Sequence, residues 1–480
     1  MSEAAASSGN GVACGAGAQA RRVLFICYDF PPCTAPGALS CAEITGCLPL
    51  YGWDPIVLTV HERYYVAVDR RRIPPVPVIR TRVFPHPLEI SARLKASLAG
   101  RDGTQSVKVM AGLRADGKLA GPISRRIRDV VLSSLGTPDM RTGWIPPAVV
   151  AGLRACRQRG ISRLVSSGPC WTNHLVGLLM ARLTRLPWVA HFRDPWTHSP
   201  ASEGDSDLTR RFQAALERMV VARADRVVCV TDRHTHLLRQ LYPGLRAEKF
   251  VTIPNGYDGS LWQDVGPETP APETSGKEFV ITYAGSIDDE RTPEPVFRAA
   301  RRLIDAGEVD IERLRFDFIG WCDMVRGRPL DEIVAEHGLT GHVHVEGPLM
   351  KTDTFRRLAQ SDLLLLLAEG LTLQVPSKAY EYLRAGQPVL ALAPRDGAVA
   401  DLFARTGGGW VIEPTDYAAI EAILRDAYCG WRGGRKVVRP DPQVVSRFDR
   451  AQLTGQLAEV LDGAPAEPGR PCRTPQRSGA

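Results

Sequence analysis

Val375-Pro376-Ser377-Lys378-Ala379-Tyr380-Glu381-Tyr382-Leu383-Arg384-Ala385-Gly386-Gln387-Pro388-Val389-Leu390 reads as one helix and the start of one strand. Proline is tolerated in the first turn of a helix, where its missing N–H would have no partner anyway, so Pro376 opens the helix. Gly386 ends it and Pro388 leads into the strand. Immediately upstream, Asp362 to Leu367 is a short apolar run with no alternation, the pattern of a strand buried on both faces.

The same strand–helix rhythm continues in both directions. Downstream come strands Pro388–Leu392 and Trp410–Ile412 and helices Ser377–Arg384 and Tyr417–Ala427. Upstream, strands fall at Phe279–Tyr283, Leu314–Ile319 and His342–Val345, with helices Glu294–Ile304, Leu330–His337 and Thr352–Leu358 between them. Residues 263–277, rich in Pro, Glu, Thr, Ser and Gly, interrupt the rhythm and read as a linker. Before them the pattern runs again: Val23–Cys27, Pro55–Val60, Arg163–Ser166, Trp188–Phe192, Arg226–Val230 and Phe250–Ile253 as strands. Helices fall at Ala38–Leu50, Trp171–Thr184, Leu208–Arg223 and Arg233–Leu241. Repeated alternation predicts an α/β protein with two doubly wound parallel sheets, each binding ligands beyond the carboxyl ends of its strands. The expected division is a tail at 1–20, a first domain at 21–262, the linker, a second domain at 278–445, an amphipathic helix at 446–462 and a disordered tail at 463–480.

The net charge of +7 is unevenly spread: residues 91–130 hold nine basic and three acidic residues, nearly the whole excess. That stretch reads either as a surface for anionic lipid or a phosphorylated acceptor, or as a solvated insertion. Cys27, Cys33, Cys41 and Cys47 are spaced by six, eight and six residues and no CxxC occurs, which argues against zinc and for reduced thiols. The longest apolar run, Leu363 to Ala368, is far too short to span a bilayer, and residues 1–20 lack a signal peptide's apolar core. A cytoplasmic protein is expected, with at most peripheral contact with the inner face of an anionic membrane and no nucleic-acid partner. No P-loop, GxGxxG, HExxH or GxSxG is present, which disfavours a nicotinamide enzyme.

Chemistry concentrates at a few loops. The helix opened by Pro376 points its positive end at an anion, Lys378 adds a charge there, and Glu381 lies one turn further on. A carboxylate at that place can accept two hydrogen bonds from a ribose diol. The stretch Pro-Ser-Lys-x-x-Glu-Tyr-x-x-x-Gly-x-Pro-Val resembles the donor motif of glycosyltransferase family 4, which has the GT-B fold of two Rossmann-like domains facing across a cleft. The family pattern is Glu-x7-Glu; Glu381 matches the second acid, which binds the nucleotide ribose, while Leu373 stands where the first would be. Tyr283-Ala284-Gly285-Ser286-Ile287-Asp288-Asp289-Glu290-Arg291 resembles the family's strand–glycine loop, with Ser286 in place of the usual Arg and Arg291 in place of the usual Lys. Pro254-Asn255-Gly256 resembles the segment entering the hinge, and Gly37, after Pro31-Pro32-Cys33-Thr34-Ala35-Pro36, holds the place of the first-domain glycine loop.

The resemblance implies a metal-independent, cofactor-free glycosyltransferase that retains anomeric configuration, with a nucleotide-sugar donor and a polysaccharide or glycolipid precursor as acceptor. Donor contacts fall on Gly285, Ser286, Arg291, Lys378, Glu381, Gly37 and Asn255. Gly168 and Trp196, at the carboxyl ends of two first-domain strands, are expected at the acceptor. Arg193 and Asp194 replace the family's acceptor-side histidine: Asp194 could orient or deprotonate a hydroxyl and Arg193 hold a phosphate, or the two could brace a loop. His191 falls on the opposite face of its strand and reads as a core histidine, and Asp205-Ser206-Asp207 as a chance DxD match. A sugar-nucleotide epimerase of the same fold, or a non-catalytic nucleotide-sugar-binding subunit, are the competing readings.

Overall fold

The computed structural model describes residues 21–70, 73–85, 137–199, 206–263, 265, 278–287, 291–435 and 437–463. The basic stretch 91–130, the tail 1–20, the C-terminal tail except Gly463, and the linker except Gln263 and Val265 lie outside the described residues. None of the described helices is long and apolar enough to cross a membrane.

The first lobe is built on seven parallel strands: β1 (Arg21–Ile26), β2 (Trp53–Val60), β3 (Val78–Thr81), β4 (Ile161–Gly168), β5 (Trp188–Phe192), β6 (Arg226–Cys229) and β7 (Phe250–Thr252), in the order β3-β2-β1-β4-β5-β6-β7. Parallel strands need crossover connections, which cover both faces of the sheet and bury it. In β1, Leu24 and Ile26 face one core and Val23 and Phe25 the other. The sequence places a helix at 38–50; helix α1 spans Pro36–Cys47 instead and tightens into a 3-10 turn over Leu48–Tyr51, because Pro49 cannot continue an α-helix.

The second lobe carries β8 (Phe279–Ala284), β9 (Leu314–Ile319), a small hairpin of β10 (Met324–Val325) and β11 (Arg328–Pro329), then β12 (Val343–Glu346), β13 (Leu363–Leu367), β14 (Val389–Leu392) and β15 (Gly409–Ile412). Six of them form a parallel sheet in the order β12-β9-β8-β13-β14-β15. Five consecutive leucines make β13: Leu363, Leu365 and Leu367 enter one core, Leu364 and Leu366 the other. Each buried leucine contributes about 1.5–3 kcal/mol of hydrophobic stabilisation, which is why this strand is central.

Both sheets reverse strand order at one pair, β1/β4 in the first and β8/β13 in the second. A crevice opens at such a switch point, because the loops leave in opposite directions.

The chain crosses between lobes twice, side by side. Tyr257 N–H donates to the Phe448 carbonyl (3.1 Å) and Arg450 N–H to the Tyr257 carbonyl (2.9 Å). A Cβ at Gly256 would stand 2.1 Å from the Phe448 carbonyl oxygen, so the two crossings touch only because this residue is glycine. One domain assignment shifts as a result. Tyr257 and Trp262, placed in the first domain from sequence, pack in the second lobe, Trp262 stacking on Phe355 at 4.4 Å. The last helix, Arg450–Gly463, returns to the first lobe and lays Leu453, Leu457 and Leu461 on Ile44, Leu48 and Trp53.

Candidate active site

At the second switch point β8 runs out into Gly285, with φ +133°, a conformation that L side chains rarely adopt. The space its missing side chain would fill holds the Lys378 ammonium: a Cβ there would lie 2.4 Å from Nζ. Lys378 belongs to helix α2 (Ser377–Ala385), whose N-cap residue is Pro376 and whose start no side chain caps. Its Nζ donates to the Tyr283 hydroxyl (2.8 Å) and sits 4.2 Å above that ring, and the hydroxyl donates to the Ser286 carbonyl (2.7 Å). A lysine charge, a bare stretch of backbone and a helix N-terminus thus meet at one spot, an arrangement suited to a phosphate. Ser286 is exposed beside it. Arg291 is half-buried and precedes Thr292, whose N–H donates to Glu369 (3.2 Å) on the loop after β13.

Glu381, one turn along α2, accepts at Oε1 from Lys351 Nζ (3.1 Å). Lys351 begins helix Lys351–Gln360. Glu369, the acid nearest the vacant place in the Glu-x7-Glu pattern, is engaged by Thr292 and by Arg326 (2.9 Å) and braces the loop.

Across the cleft, Arg193 gathers the first-lobe switch point. Its Nε donates to the Gly168 carbonyl (2.6 Å) and its Nη1 to the Gly37 carbonyl (3.3 Å). A Cβ at Gly37 would come within 2.6 Å of the guanidinium, so glycine there lets the helix start close on arginine. Among the described residues Arg193 and Asp194 form no ion pair with each other. Asp194 instead accepts from Gln374 Nε2 (2.7 Å), a residue of the opposite lobe, and burial raises its pKa although Arg193 and that bond pull the other way.

Three further groups singled out in the sequence take these positions. Trp196 is 3% exposed, stacked on Trp171 at 5.0 Å and donating to Gln213 (2.5 Å), so it supports the cleft wall from behind instead of facing an acceptor. His191 is buried against Ser167, and burial, with Arg193 nearby, holds its pKa well below the usual histidine range. Of the DxD match, Ser206 caps the helix Asp207–Arg223 and Asp207 pairs with Arg210, while Asp205 lies outside the described residues. Asn255 is half-buried in the crossing next to Gly256.

Sequence reading misses the contacts that close the cleft. Thr231 Oγ donates to the carbonyl of Leu373 (2.6 Å), the residue standing where the family has an acid. Arg233 forks onto Asp401 (2.5 and 2.9 Å) and reaches Asp396 (2.6 Å). Lys351 lies 3.6 Å from Glu43 of α1. The sequence signal for the first two is Thr231-Asp232-Arg233, a helix cap just beyond β6 whose residues look across to the other lobe.

Two parallel sheets with their switch points turned to one cleft define a GT-B protein. Sucrose-phosphate synthase from Thermosynechococcus elongatus superposes with a TM-score of 0.60 at 14% identity, over 92% of this chain and 98% of that one. HepE from Anabaena, in complex with UDP and glucose, superposes with a TM-score of 0.57 at 16% identity, over 92% and 99%. The family described as Glycosyltransferase Family 4 matches residues 107–261, and Glycosyl transferases group 1 matches residues 267–430. The chain therefore carries both family domains of a GT-B glycosyltransferase, one in each lobe. D-inositol 3-phosphate glycosyltransferase 1 of Catenulispora acidiphila is 26% identical over 262 residues, 53% of this chain and 61% of that relative. The chain thus matches about three fifths of the length of this relative.

Proposed function

We propose that the protein transfers a sugar from a nucleotide-sugar to a hydroxyl of a polysaccharide or glycolipid precursor, with retention of configuration. The observation that carries this reading is the Lys378 ammonium seated over the bare backbone of Gly285 at the β8/β13 switch point. Such a cradle fits the diphosphate of the donor, and Glu381, farther along the same helix, fits its ribose. The presence of UDP and glucose in HepE, which shares the fold, favours the same class of donor.

In the proposed reaction the bond from the anomeric carbon to the diphosphate oxygen breaks and a bond to the acceptor oxygen forms on the same face. The acceptor proton passes to the departing phosphate. Negative charge grows on that phosphate, and Lys378, Arg291 and the N-terminus of α2 stabilise it there, so the proposal includes no metal and no cofactor. Asp194 orients the acceptor hydroxyl, and Arg193 shapes the acceptor wall by holding the Gly37 and Gly168 loops together. The basic stretch 91–130 gives the protein a peripheral hold on an anionic membrane.

A thermal-shift panel of UDP-, GDP-, ADP- and dTDP-sugars tests this. One nucleotide class should stabilise the protein, by about 2.7 kcal/mol at a hundred times its Kd. Glu381→Ala should abolish that shift while its ligand-free melting remains cooperative. An undiminished shift in Glu381→Ala would place the donor elsewhere.

A further inference from the structure

Glu381 stands at the end of a chain of alternating charges. Lys351 Nζ donates to its Oε1 (3.1 Å) and lies 3.6 Å from Glu43 Oε1. Glu43 Oε2 accepts from Arg450 Nε (3.1 Å), and Arg450 Nη2 donates to the Gly256 carbonyl (3.2 Å) in the crossing. Arg450 is 6% exposed, Glu43 16% and Glu381 19%, while Lys351 is partly exposed at 31%. Glu43 lies on α1 of the first lobe, Lys351 and Glu381 in the second, and Arg450 on the returning helix. Burial works against the charge of Lys351, but the carboxylates of Glu381 and then Glu43 outweigh it and raise its pKa.

A carboxylate has two oxygens, and here they differ. Among the described residues only Oε1 of Glu381 has a partner. A shielded glutamate on a flexible stem would turn among rotamers if nothing fixed it. Lys351 fixes one oxygen, cancels the charge that burial would penalise, and leaves the second oxygen as a directed acceptor. A neutralised pair with one open acceptor selects a hydroxyl donor over a cation. We infer that Lys351 is a positioning residue, which presents Oε2 of Glu381 to a ribose hydroxyl of the donor and, through Glu43, makes that presentation depend on closed lobes. This rests on the nucleotide-sugar reading given above. Neither Lys351 nor Glu43 belongs to the donor motif.

The test compares binding of UDP and GDP with that of their 2′,3′-dideoxy counterparts by calorimetry, using whichever base the wild type binds. The wild type should prefer the ribonucleotide by about ten- to a hundredfold, the worth of a hydrogen bond to a charged group. In Lys351→Met that preference should fall to within about threefold of unity, since a mis-aimed carboxylate no longer rewards the hydroxyls. Lys351→Arg should recover most of it, and Glu43→Gln should lower it partway. Should Lys351→Met not fold, the Arg and Gln variants carry the comparison. A Lys351→Met protein that keeps the wild-type preference overturns the inference while leaving the donor site intact. A wild type that binds no nucleotide overturns the donor reading, and this inference with it.

Discussion

Gly285→Ala is the sharpest test of the site, because its consequences can be worked out atom by atom. At φ +133° a side chain strains the backbone, an effect of roughly 1–3 kcal/mol. For a lobe of this size that lowers the melting temperature by on the order of 5 °C. The new Cβ would also stand 2.4 Å from Lys378 Nζ, whereas ordinary contact begins at 3.4 Å. The ammonium tip must therefore retreat by about 1 Å, leaving its bond to Tyr283 and the spot proposed for the diphosphate. Misplacement of that size at a reacting centre costs about a hundredfold in rate. Gly307→Ala is the matched control: φ is +71°, and nothing lies within 4 Å of the added Cβ. Both variants should melt lower, yet only Gly285→Ala should lose the donor-induced thermal shift and about a hundredfold in kcat/KM. If Gly285→Ala bound donor as tightly as Gly307→Ala, the reasoning that places the diphosphate over this glycine would be refuted.

Two further outcomes follow from contacts across the cleft. Burial raises the pKa of Asp194, so its contribution to stability is full below the unfolded value of about 3.9 and is lost as pH rises through the folded pKa. Asp194→Asn should therefore gain in melting temperature over the wild type as pH climbs from about 3 through the folded pKa, and lose transfer activity, if this carboxylate orients the acceptor; a constant difference across that rise would contradict the sign. Arg233 is 30% exposed and its partners Asp401 and Asp396 more so, which limits the fork's effect on global stability to about 1 kcal/mol or less. Lobe closure is the more sensitive readout. Small-angle scattering should find the wild type opening as salt is raised and Arg233→Gln already open at low salt; identical radii of gyration in both would show that the fork holds nothing shut.

The sheets were legible in the sequence because strands buried on both faces leave unbroken apolar runs, and Leu363–Leu367 could hardly be anything else. What escaped did so for local reasons. Val78–Thr81 is an edge strand bracketed by Pro77 and carrying Arg80, so neither hydrophobicity nor turn signals mark it. Helix Ile145–Arg159 begins with Pro146-Pro147, which looks like a loop until the prolines are seen in the first turn, where they do no harm. Within one lobe the approach of Gly285 and Lys378 was readable too, because loops at a switch point converge. Contacts between lobes were not, since Asp194 and Gln374, or Thr231 and Leu373, are brought together only by how two separate sheets settle on each other. Trp196 was misjudged for a related reason: the end of a strand says which rim a residue is on, and only the neighbouring rings of Trp171 and Phe192 turn it inward.

The returning helix has a consequence for biosynthesis. Leu453, Leu457 and Leu461 complete the hydrophobic face formed by Ile44, Leu48 and Trp53, so an earlier-made portion of the chain is finished by a later-made one. While the ribosome is still translating the second half, the first half must wait with an apolar seam uncovered, whereas the later-made sheet already has its neighbours at hand. Loss of even the final two turns before residue 463 would leave that seam open for good, and the damage would surface as aggregation of the amino-terminal half, far in sequence from the missing residues.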